Sequence, residues 1–140
     1  MLVGLVGWRG MVGSVLIKRM FEERDFESFE ARFFSTSNVG GKAPEKYSFV
    51  GAKSLYDAYC IDSLSDCDVI LTCQGADYTT LVHSKLRGSG WKGYYIDASK
   101  ALRMEEDSVI ALDPVNFELI NQALENGVKN FCGGNCTVSC

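Results

Sequence analysis

The chain has 140 residues, of which 46% are hydrophobic and 23% are charged, so it holds enough apolar material for the core of one domain. Its 14 basic and 18 acidic residues give a formal net charge of −4, which excludes the basic surface of a nucleic-acid-binding or membrane-surface protein. The sequence contains no apolar run long enough for a transmembrane helix and no basic segment ahead of a signal-peptide core. We therefore expect a cytoplasmic protein.

The predicted elements alternate between strands and helices. Short apolar runs predict strands at Leu2–Val6 and at residues 31–34, 47–50, 69–73, 94–96, 109–112 and 129–132. Helical spacing of apolar residues predicts helices at residues 11–23, 78–86 and 117–126 and a helical turn at residues 61–66, with Asp77 and Asn116 as N-cap residues. Alternation through short polar connections predicts an α/β fold, namely a Rossmann-like, doubly wound, mostly parallel sheet with helices on both faces.

A glycine-rich segment, GWRGMVG at residues 7–13, follows the first predicted strand. Glycines at this spacing allow a tight turn, a close approach of the backbone to a pyrophosphate, and close packing of the next helix on the strand. A glycine-rich turn without a ligand is the alternative when the spacing is taken alone. Because ligands bind at the carboxyl ends of parallel strands, the segment is a candidate dinucleotide site.

The residues after the second strand bear on the choice of cofactor. An NAD site usually places a carboxylate there to hold the ribose 2′-hydroxyl, whereas this chain has Ser35, Thr36, Ser37 and Asn38. Hydroxyl groups and the guanidinium of Arg9 accommodate a 2′-phosphate without charge repulsion, which favours NADP over NAD. An ordinary polar turn is the alternative for this segment alone.

A second segment, GGNCTVS at residues 133–139, follows the last predicted strand. A helix start lowers the pKa of a thiol placed there, so Cys136 is a candidate nucleophile, with a buried inert thiol as the alternative. Asn135 is a candidate to orient the thiol or to polarise a thioester oxygen. Together with the glycine loop, this segment suggests a nicotinamide-dependent dehydrogenase that works through a thioester.

The other cysteines and the histidine do not indicate a metal centre. Cys60, Cys67 and Cys73 lie in apolar contexts and are predicted to be reduced and mostly packed. Cys132, Cys136 and Cys140 are spaced four positions apart, which matches no common zinc or iron–sulfur spacing, so we expect no metal. The histidine, His83, is predicted to lie on a helix surface.

Six segments resemble bacterial aspartate-semialdehyde dehydrogenase and run through the chain in that family's order. The resemblance covers the family's amino-terminal, NADP-binding half, so it implies one domain at residues 1–140 that ends at the nucleophile loop, without the substrate and dimerisation domain. It implies NADPH-dependent reductive dephosphorylation of L-aspartyl 4-phosphate to L-aspartate 4-semialdehyde and phosphate by a homodimeric enzyme of lysine, diaminopimelate, threonine and methionine synthesis. The matching segments are residues 7–16, 33–37, 72–75, 102–104, 112–116 and 133–139.

The resemblance also implies roles for individual residues. Cys136 would form the acyl thioester, Arg103 would bind the phosphate of the substrate, and Lys100 is expected to point to solvent. The family's general acid/base histidine lies in the half that this chain lacks, so the 140-residue chain alone is predicted to be nearly inactive. The expected NADP-binding residues are Gly7, Arg9, Gly10, Met11, Val12 and Gly13 around the phosphates, Thr36 and Ser37 at the adenosine ribose, and Gln74.

Three alternatives remain open at this point. The chain could resemble a related reductase such as N-acetyl-glutamyl-phosphate reductase, but residues 9–12 and 133–139 argue against it. It could be a catalytically inactive NADP-binding or interaction module, which an exposed apolar surface would favour. It could also be a thiol sensor that uses Cys132, Cys136 and Cys140, which would require a resolving pair of thiols.

Overall fold

The computed structural model describes residues 1–43 and 54–135, and within these ranges it contains one sheet and four α-helices. The strands are β1 (Leu2–Val6), β2 (Glu30–Ser35), β3 (Tyr56–Asp57), β4 (Val69–Thr72), β5 (Tyr94–Asp97), β6 (Ser108–Ala111) and β7 (Asn130–Gly133). The helices are α1 (Met11–Glu22), α2 (Ile61–Ser65), α3 (Ala76–Gly88) and α4 (Phe117–Glu125), and a 3₁₀ turn lies at Asp25–Glu27.

The described strands form a seven-stranded sheet in the order β3-β2-β1-β4-β5-β7-β6, and every pair in it is parallel. The chain runs from β1 through β2 and β3 toward one edge, then places β4 on the other side of β1. The strand order therefore reverses between β1 and β4, the position at which open parallel sheets bind ligands. The predicted α/β, Rossmann-like architecture is confirmed.

Alternate residues of the central strands face two separate cores. On one face, Leu5 and Phe33 pack in a cluster with Ile17 of α1. On the other, Val6 packs in a cluster with Val82 of α3, as the period of two in a strand requires. These side chains are 0–1% exposed, and burying each contributes about 1.5–3 kcal/mol. Both faces of the sheet are thus covered by helices.

The start of α3 differs from the prediction. The N-cap residue is Gly75, whose φ of 107° lies in a region that favours glycine. The prediction of Asp77 as the cap is wrong, because Asp77 lies inside the first turn, where its charge still favours the helix dipole. Among the described helices, none combines the length and the apolar character that crossing a membrane requires.

Asn116 is the N-cap residue of α4, as predicted, but its side chain makes no capping hydrogen bond to the helix. Its Oδ1 accepts from the N–H of Leu112 at 2.8 Å, and its Nδ2 donates to the carbonyl of Ile110 at 2.7 Å. The side chain therefore ties the end of β6 to the start of α4. Strand β3 was not predicted, because two residues show no periodicity. The strand predicted at residues 47–50 lies outside the described residues.

Candidate functional site

A cleft of about 410 Å³ lies at the carboxyl ends of β1, β2 and β4, where the strand order reverses. It brings together the glycine loop after β1, the hydroxyl-rich turn after β2 and the turn after β4. Six of the predicted cofactor residues line it. The lining residues are Gly7, Trp8, Arg9, Gly10, Phe34, Ser35, Thr36, Ser37, Cys73 and Gln74.

Two of the glycines are required by close packing. Gly7 has a φ of 71°, and a Cβ built on it would lie 2.5 Å from the carbonyl carbon of Cys73 and 2.7 Å from the Cα of Gln74. A Cβ on Gly13 would collide with the carbonyl oxygen of Gly7 and lie 2.7 Å from the Cα of Trp8. Gly7 and Gly13 therefore allow the loop to pack against β4 and against α1.

Gly10 has a different environment. Its φ of −70° and ψ of 175° are accessible to any residue, and its N–H donates to the carbonyl of Gly7 at 3.2 Å. A Cβ on Gly10 would have that oxygen, at 3.4 Å, as its single described neighbour within 4 Å. Gly10 therefore leaves open space at the mouth of the cleft.

The amino terminus of α1 faces the same space. Its N-cap residue is Gly10, no side chain caps the helix, and its first turn holds no acidic residue in the described structure. Met11 and Val12 are exposed there. The first N–H groups of a helix lack intrahelical acceptors and carry a partial positive charge, so this terminus suits an anion such as a pyrophosphate.

Arg9 extends from the glycine loop to the end of β2. Its Nη2 donates to the hydroxyl oxygens of Ser35 at 2.8 Å and Ser37 at 3.2 Å, and its guanidinium lies 5.4 Å from the centre of the Trp8 ring. Among the described residues that line the cleft there is no carboxylate. The cleft therefore presents a guanidinium and hydroxyl groups, which attract a phosphate and repel none.

Four residues that line this cleft were not among the expected cofactor-binding residues, namely Trp8, Phe34, Ser35 and Cys73, although Ser35 belongs to the hydroxyl-rich turn that the sequence analysis singled out. Ser35 is 3% exposed, and its hydroxyl oxygen also accepts from the backbone N–H of Asn38 at 2.9 Å. Trp8 is 9% exposed and donates from its indole nitrogen to the carbonyl of Phe34 at 3.0 Å. The available signal was position, because Ser35 ends a strand and Trp8 lies between two loop glycines.

A second group of polar residues lies at the ends of β5 and β7. Arg103 donates from Nε to the carbonyl of Gly133 at 2.8 Å and from Nη2 to the carbonyl of Gly134 at 3.0 Å. Asn135, the last residue that the structure describes, is exposed. The predicted nucleophile Cys136 lies outside the described residues, as does Cys140. Lys100 is exposed, as predicted.

Burial raises the pKa of three described cysteines and so lowers their reactivity, namely Cys67, Cys73 and Cys132. It raises the pKa of Cys67 to about 11, and burial together with the Asp97 carboxylate raises the pKa of Cys73 to about 11. Burial also raises the pKa of Cys132, which is 1% exposed. Cys60, Cys67 and Cys73 form no disulfide with one another or with Cys132, the other described cysteine. A buried thiol whose pKa is raised is poorly suited to the sensor role considered for Cys132.

His83 is not a surface residue of its helix, contrary to the prediction. It is half-buried, and its Nε2 lies 2.8 Å from Oδ1 of Asn130, while its ring packs edge-on against Tyr95 at 4.9 Å. Its role is therefore structural contact between α3 and the sheet. Across the described ranges, no group of three or more His, Cys, Asp or Glu side chains could hold a metal ion.

The chain matches the family described as "Semialdehyde dehydrogenase, NAD binding domain" over residues 2–123. Among solved structures it is similar to aspartate semialdehyde dehydrogenase from Francisella tularensis, with 50% identity and a TM-score of 0.94 over 99% of this chain and 37% of that chain. This chain thus spans less than half the length of that relative.

Two more distant structures share the fold. One is aspartate semialdehyde dehydrogenase II from Vibrio cholerae complexed with ASA, with 18% identity and a TM-score of 0.69 over 99% of this chain and 42% of that chain. The other is aspartate semialdehyde dehydrogenase with NADP from Candida albicans, with 18% identity and a TM-score of 0.67 over 99% of this chain and 43% of that chain.

Proposed function

Because the chain belongs to the semialdehyde dehydrogenase NAD-binding domain family, we propose that it supplies the dinucleotide-binding and nucleophile part of an aspartate-semialdehyde dehydrogenase. The proposed reaction is the NADPH-dependent reductive dephosphorylation of L-aspartyl 4-phosphate to L-aspartate 4-semialdehyde and phosphate. Residues 1–140 form the NADP-binding domain and end at the nucleophile loop. The observation that carries the proposal is the cleft between the glycine loop and the end of β2, together with the 50% identity to the Francisella tularensis relative.

The cleft suits the phosphates of a dinucleotide in shape and in charge. The uncapped start of α1 offers backbone N–H groups to the pyrophosphate, and Gly10 leaves the space that the pyrophosphate would fill. Around these groups we place the cofactor-binding residues Gly7, Arg9, Gly10, Met11, Val12, Gly13 and Gln74.

The end of β2 supports NADP as the cofactor. Thr36 and Ser37 line the cleft beside Arg9, and the guanidinium of Arg9 already lies on the hydroxyl oxygens of this turn. A planar guanidinium can donate two hydrogen bonds to a 2′-phosphate, whereas a bare 2′-hydroxyl would use little of this charge. We therefore place the adenosine ribose and its 2′-phosphate at Arg9, Thr36 and Ser37.

The proposed chemistry uses Cys136 as the nucleophile. Its thiolate attacks the acyl carbon of L-aspartyl 4-phosphate, a carbon–sulfur bond forms, and the carbon–oxygen bond to phosphate breaks as phosphate leaves. The hydride that reduces the thioester is supplied by NADPH when it is bound. Protonation and cleavage of the carbon–sulfur bond then release the aldehyde and regenerate the thiol. Asn135 is placed to orient the thiol or polarise the thioester oxygen.

Arg103 is the proposed site for the phosphate of the substrate. A guanidinium carries five N–H groups, and the two hydrogen bonds to residues 133 and 134 occupy two of them. The other three N–H groups bond to no residue in the described part of the chain, and we propose that they bind the departing phosphate. In cells, we propose a cytoplasmic homodimer that serves lysine, diaminopimelate, threonine and methionine synthesis.

A chimera tests the proposal directly. Residues 1–140 of this chain replace the corresponding first part of the Francisella tularensis relative, and NADP reduction is followed with L-aspartate 4-semialdehyde and phosphate. We expect phosphate-dependent turnover by the chimera and almost none by the isolated chain, because losing general acid/base assistance costs about 10²–10⁴ in rate. The chimera with Cys136→Ser should lose at least about a thousandfold in turnover while still binding NADPH.

The second candidate is a catalytically inactive NADP-binding module. Exposed apolar side chains around α4 favour a docked partner, since Val115 is 82%, Phe117 55% and Leu119 51% exposed. A chimera that binds NADPH without turning over would support this candidate. A chimera that binds no dinucleotide would contradict both candidates.

A further inference from the structure

The turn after β5 is built around a buried carboxylate. Asp97 is 0% exposed, and its two oxygens accept from the backbone N–H of Ser99 at 2.8 Å and from the Ser99 hydroxyl at 2.6 Å. The Ser99 hydroxyl oxygen in turn accepts from the N–H of Ala101 at 3.2 Å. Charge-assisted hydrogen bonds of this kind are among the strongest in proteins, so Asp97 holds the turn that leads to Arg103.

The same turn lies directly against the end of β7. Asp97 pairs with Cys132 in the register of β5 and β7, and a Cβ built on Gly133 would lie 3.8 Å from the Cα of Ala98. The loop that follows β7 therefore starts beside the turn that Asp97 holds. Residues 35 apart in sequence are adjacent here because their strands are neighbours in the sheet.

Arg103 joins the two loops. Its Nε and Nη2 donate to the carbonyl oxygens of Gly133 and Gly134, at 2.8 Å and 3.0 Å. Arg103 is half-buried, and its backbone N–H donates to the carbonyl of Lys100 at 3.3 Å, within the turn. Two parallel bonds from one planar guanidinium fix both distance and orientation, which a lysine ammonium cannot do.

We propose that Arg103, held by Asp97 through the Ser99 turn, is a positioning residue for the loop at residues 133–135, which leads to Cys136. This role rests on the proposed function and adds to the phosphate contact that the function assigns to Arg103. One guanidinium then has two tasks: two of its N–H groups hold the loop at residues 133–135, and the three that bond to no described residue are left for an anion. Loss of Arg103 should therefore impair the thiol even when no substrate is present.

The test measures the alkylation rate of Cys136 by iodoacetamide, without substrate or cofactor, from pH 5.5 to 9. Tandem mass spectrometry localises the label, and a synthetic peptide of residues 133–139, in which Cys136 is the one cysteine, supplies the rate of an unstructured thiol. The variants are Arg103→Ala, Arg103→Lys and the milder Ser99→Ala. Lys100→Ala is the matched control, since it removes an exposed positive charge from the same turn and none of the side-chain bonds described above.

We expect wild-type Cys136 to react at pH 6 at least about tenfold faster than the peptide thiol, since activated cysteines have a pKa well below the ordinary 8.5. Arg103→Ala should lower this rate toward that of the peptide, and Ser99→Ala should lower it in part. Lys100→Ala should leave it unchanged. Arg103→Lys keeps the charge, and it should not restore the rate because it cannot hold both carbonyls.

The outcomes separate the inference from the proposed function. If Cys136 were alkylated at the wild-type rate in Arg103→Ala or in Arg103→Lys, the positioning role would be overturned. Cys136 would remain the proposed nucleophile. A wild-type Cys136 no faster than the peptide would contradict the proposed nucleophile and the inference with it. Cys67 and Cys73 serve as internal references, because their pKa values of about 11 keep them protonated and slow throughout this range.

Discussion

At the scale of single residues, Arg9 supplies the positive charge among the described residues that line the candidate dinucleotide cleft. Its guanidinium lies across the loop after β1 and the turn after β2, bonded to the hydroxyl groups of Ser35 and Ser37. Ser35 is buried and holds the turn through the N–H of Asn38. Because these hydrogen bonds fix the guanidinium of Arg9 at the end of β2, a 2′-phosphate bound there would cost little side-chain entropy.

The prediction at this scale is that the wild-type chain binds NADPH more tightly than NADH and that Arg9→Ala removes this difference. Charged hydrogen bonds contribute about 1.5–3 kcal/mol each, so the dissociation constant for NADPH should rise about 10- to 100-fold. The affinity for NADH should change little, because NADH has no 2′-phosphate. Fluorescence titration with both cofactors measures the difference.

Arg19→Ala is the matched control for this titration. Arg19 lies on α1 and pairs with Glu22 and Glu23 at 3.0 Å, away from the cleft, so its removal should leave both affinities unchanged. An equal loss of NADPH and NADH affinity in Arg9→Ala would show that the residue supports the loop rather than the 2′-phosphate.

At the scale of elements, the glycines between β1 and the start of α1 have different structural roles, although their spacing in the sequence makes them look equivalent. Gly13 has no room for a Cβ, since the backbone of Gly7 and Trp8 fills the space. Gly10 has room for a Cβ and an ordinary backbone conformation. Spacing alone cannot separate these cases, because the difference depends on how the helix packs on the strand.

We expect Gly13→Ala to lower the stability of the fold and Gly10→Ala to weaken the binding of NADPH. Gly13→Ala should destabilise the fold by about 1–3 kcal/mol, because the added methyl forces backbone to move. Gly10→Ala should change stability by less than about 1 kcal/mol but weaken NADPH binding at least about tenfold, since its methyl occupies the open mouth of the cleft. Thermal unfolding and NADPH titration of both variants give the two readouts. A Gly10→Ala protein with native affinity for NADPH would argue against a pyrophosphate at this position.

At the scale of the whole molecule, the two ends of the sheet have separate tasks. The cleft and the turn of Arg103 lie at the carboxyl ends of the strands. Near the start of β7, a polar network connects this strand to neighbouring elements. Asn130, which is 2% exposed, accepts from Nη2 of Arg87 at 2.6 Å and donates to Asp107 at 2.9 Å. His83 also contacts Asn130, so the Asn130 side chain connects α3, β7 and the segment before β6.

The prediction at this scale is that Asn130→Ala lowers stability and spares the cleft. The substitution removes one hydrogen-bond partner from each of the half-buried Arg87 and His83, which should cost about 1–3 kcal/mol and lower the melting temperature by several degrees. Affinity for NADPH, measured well below the melting temperature, should stay within about twofold of wild type. The exposed Asn126→Ala is the control. A melting temperature unchanged by Asn130→Ala would show that the network adds nothing to stability.

Much of this protein can be read from its sequence, because local patterns carry local physics. Apolar runs and helical spacing placed β1 at its observed bounds and the other described strands and α-helices within a few residues, apart from the two-residue β3, and the 3₁₀ turn at Asp25–Glu27 was not predicted. The glycine loop and the absence of a carboxylate after β2 directed attention to residues that the structure brings together in one cleft. The roles assigned to its residues, and to Cys136 and Arg103, stay predictions.

Only the tertiary structure decided which loops meet. Arg9 lies on Ser35, 26 positions away, because β1 and β2 are neighbours. Arg103 lies on the carbonyl of Gly133, 30 positions away, because β5 and β7 are neighbours although β6 lies between them in sequence. Strand order follows from burying both faces of the whole sheet at once, and no segment of the chain contains that information by itself.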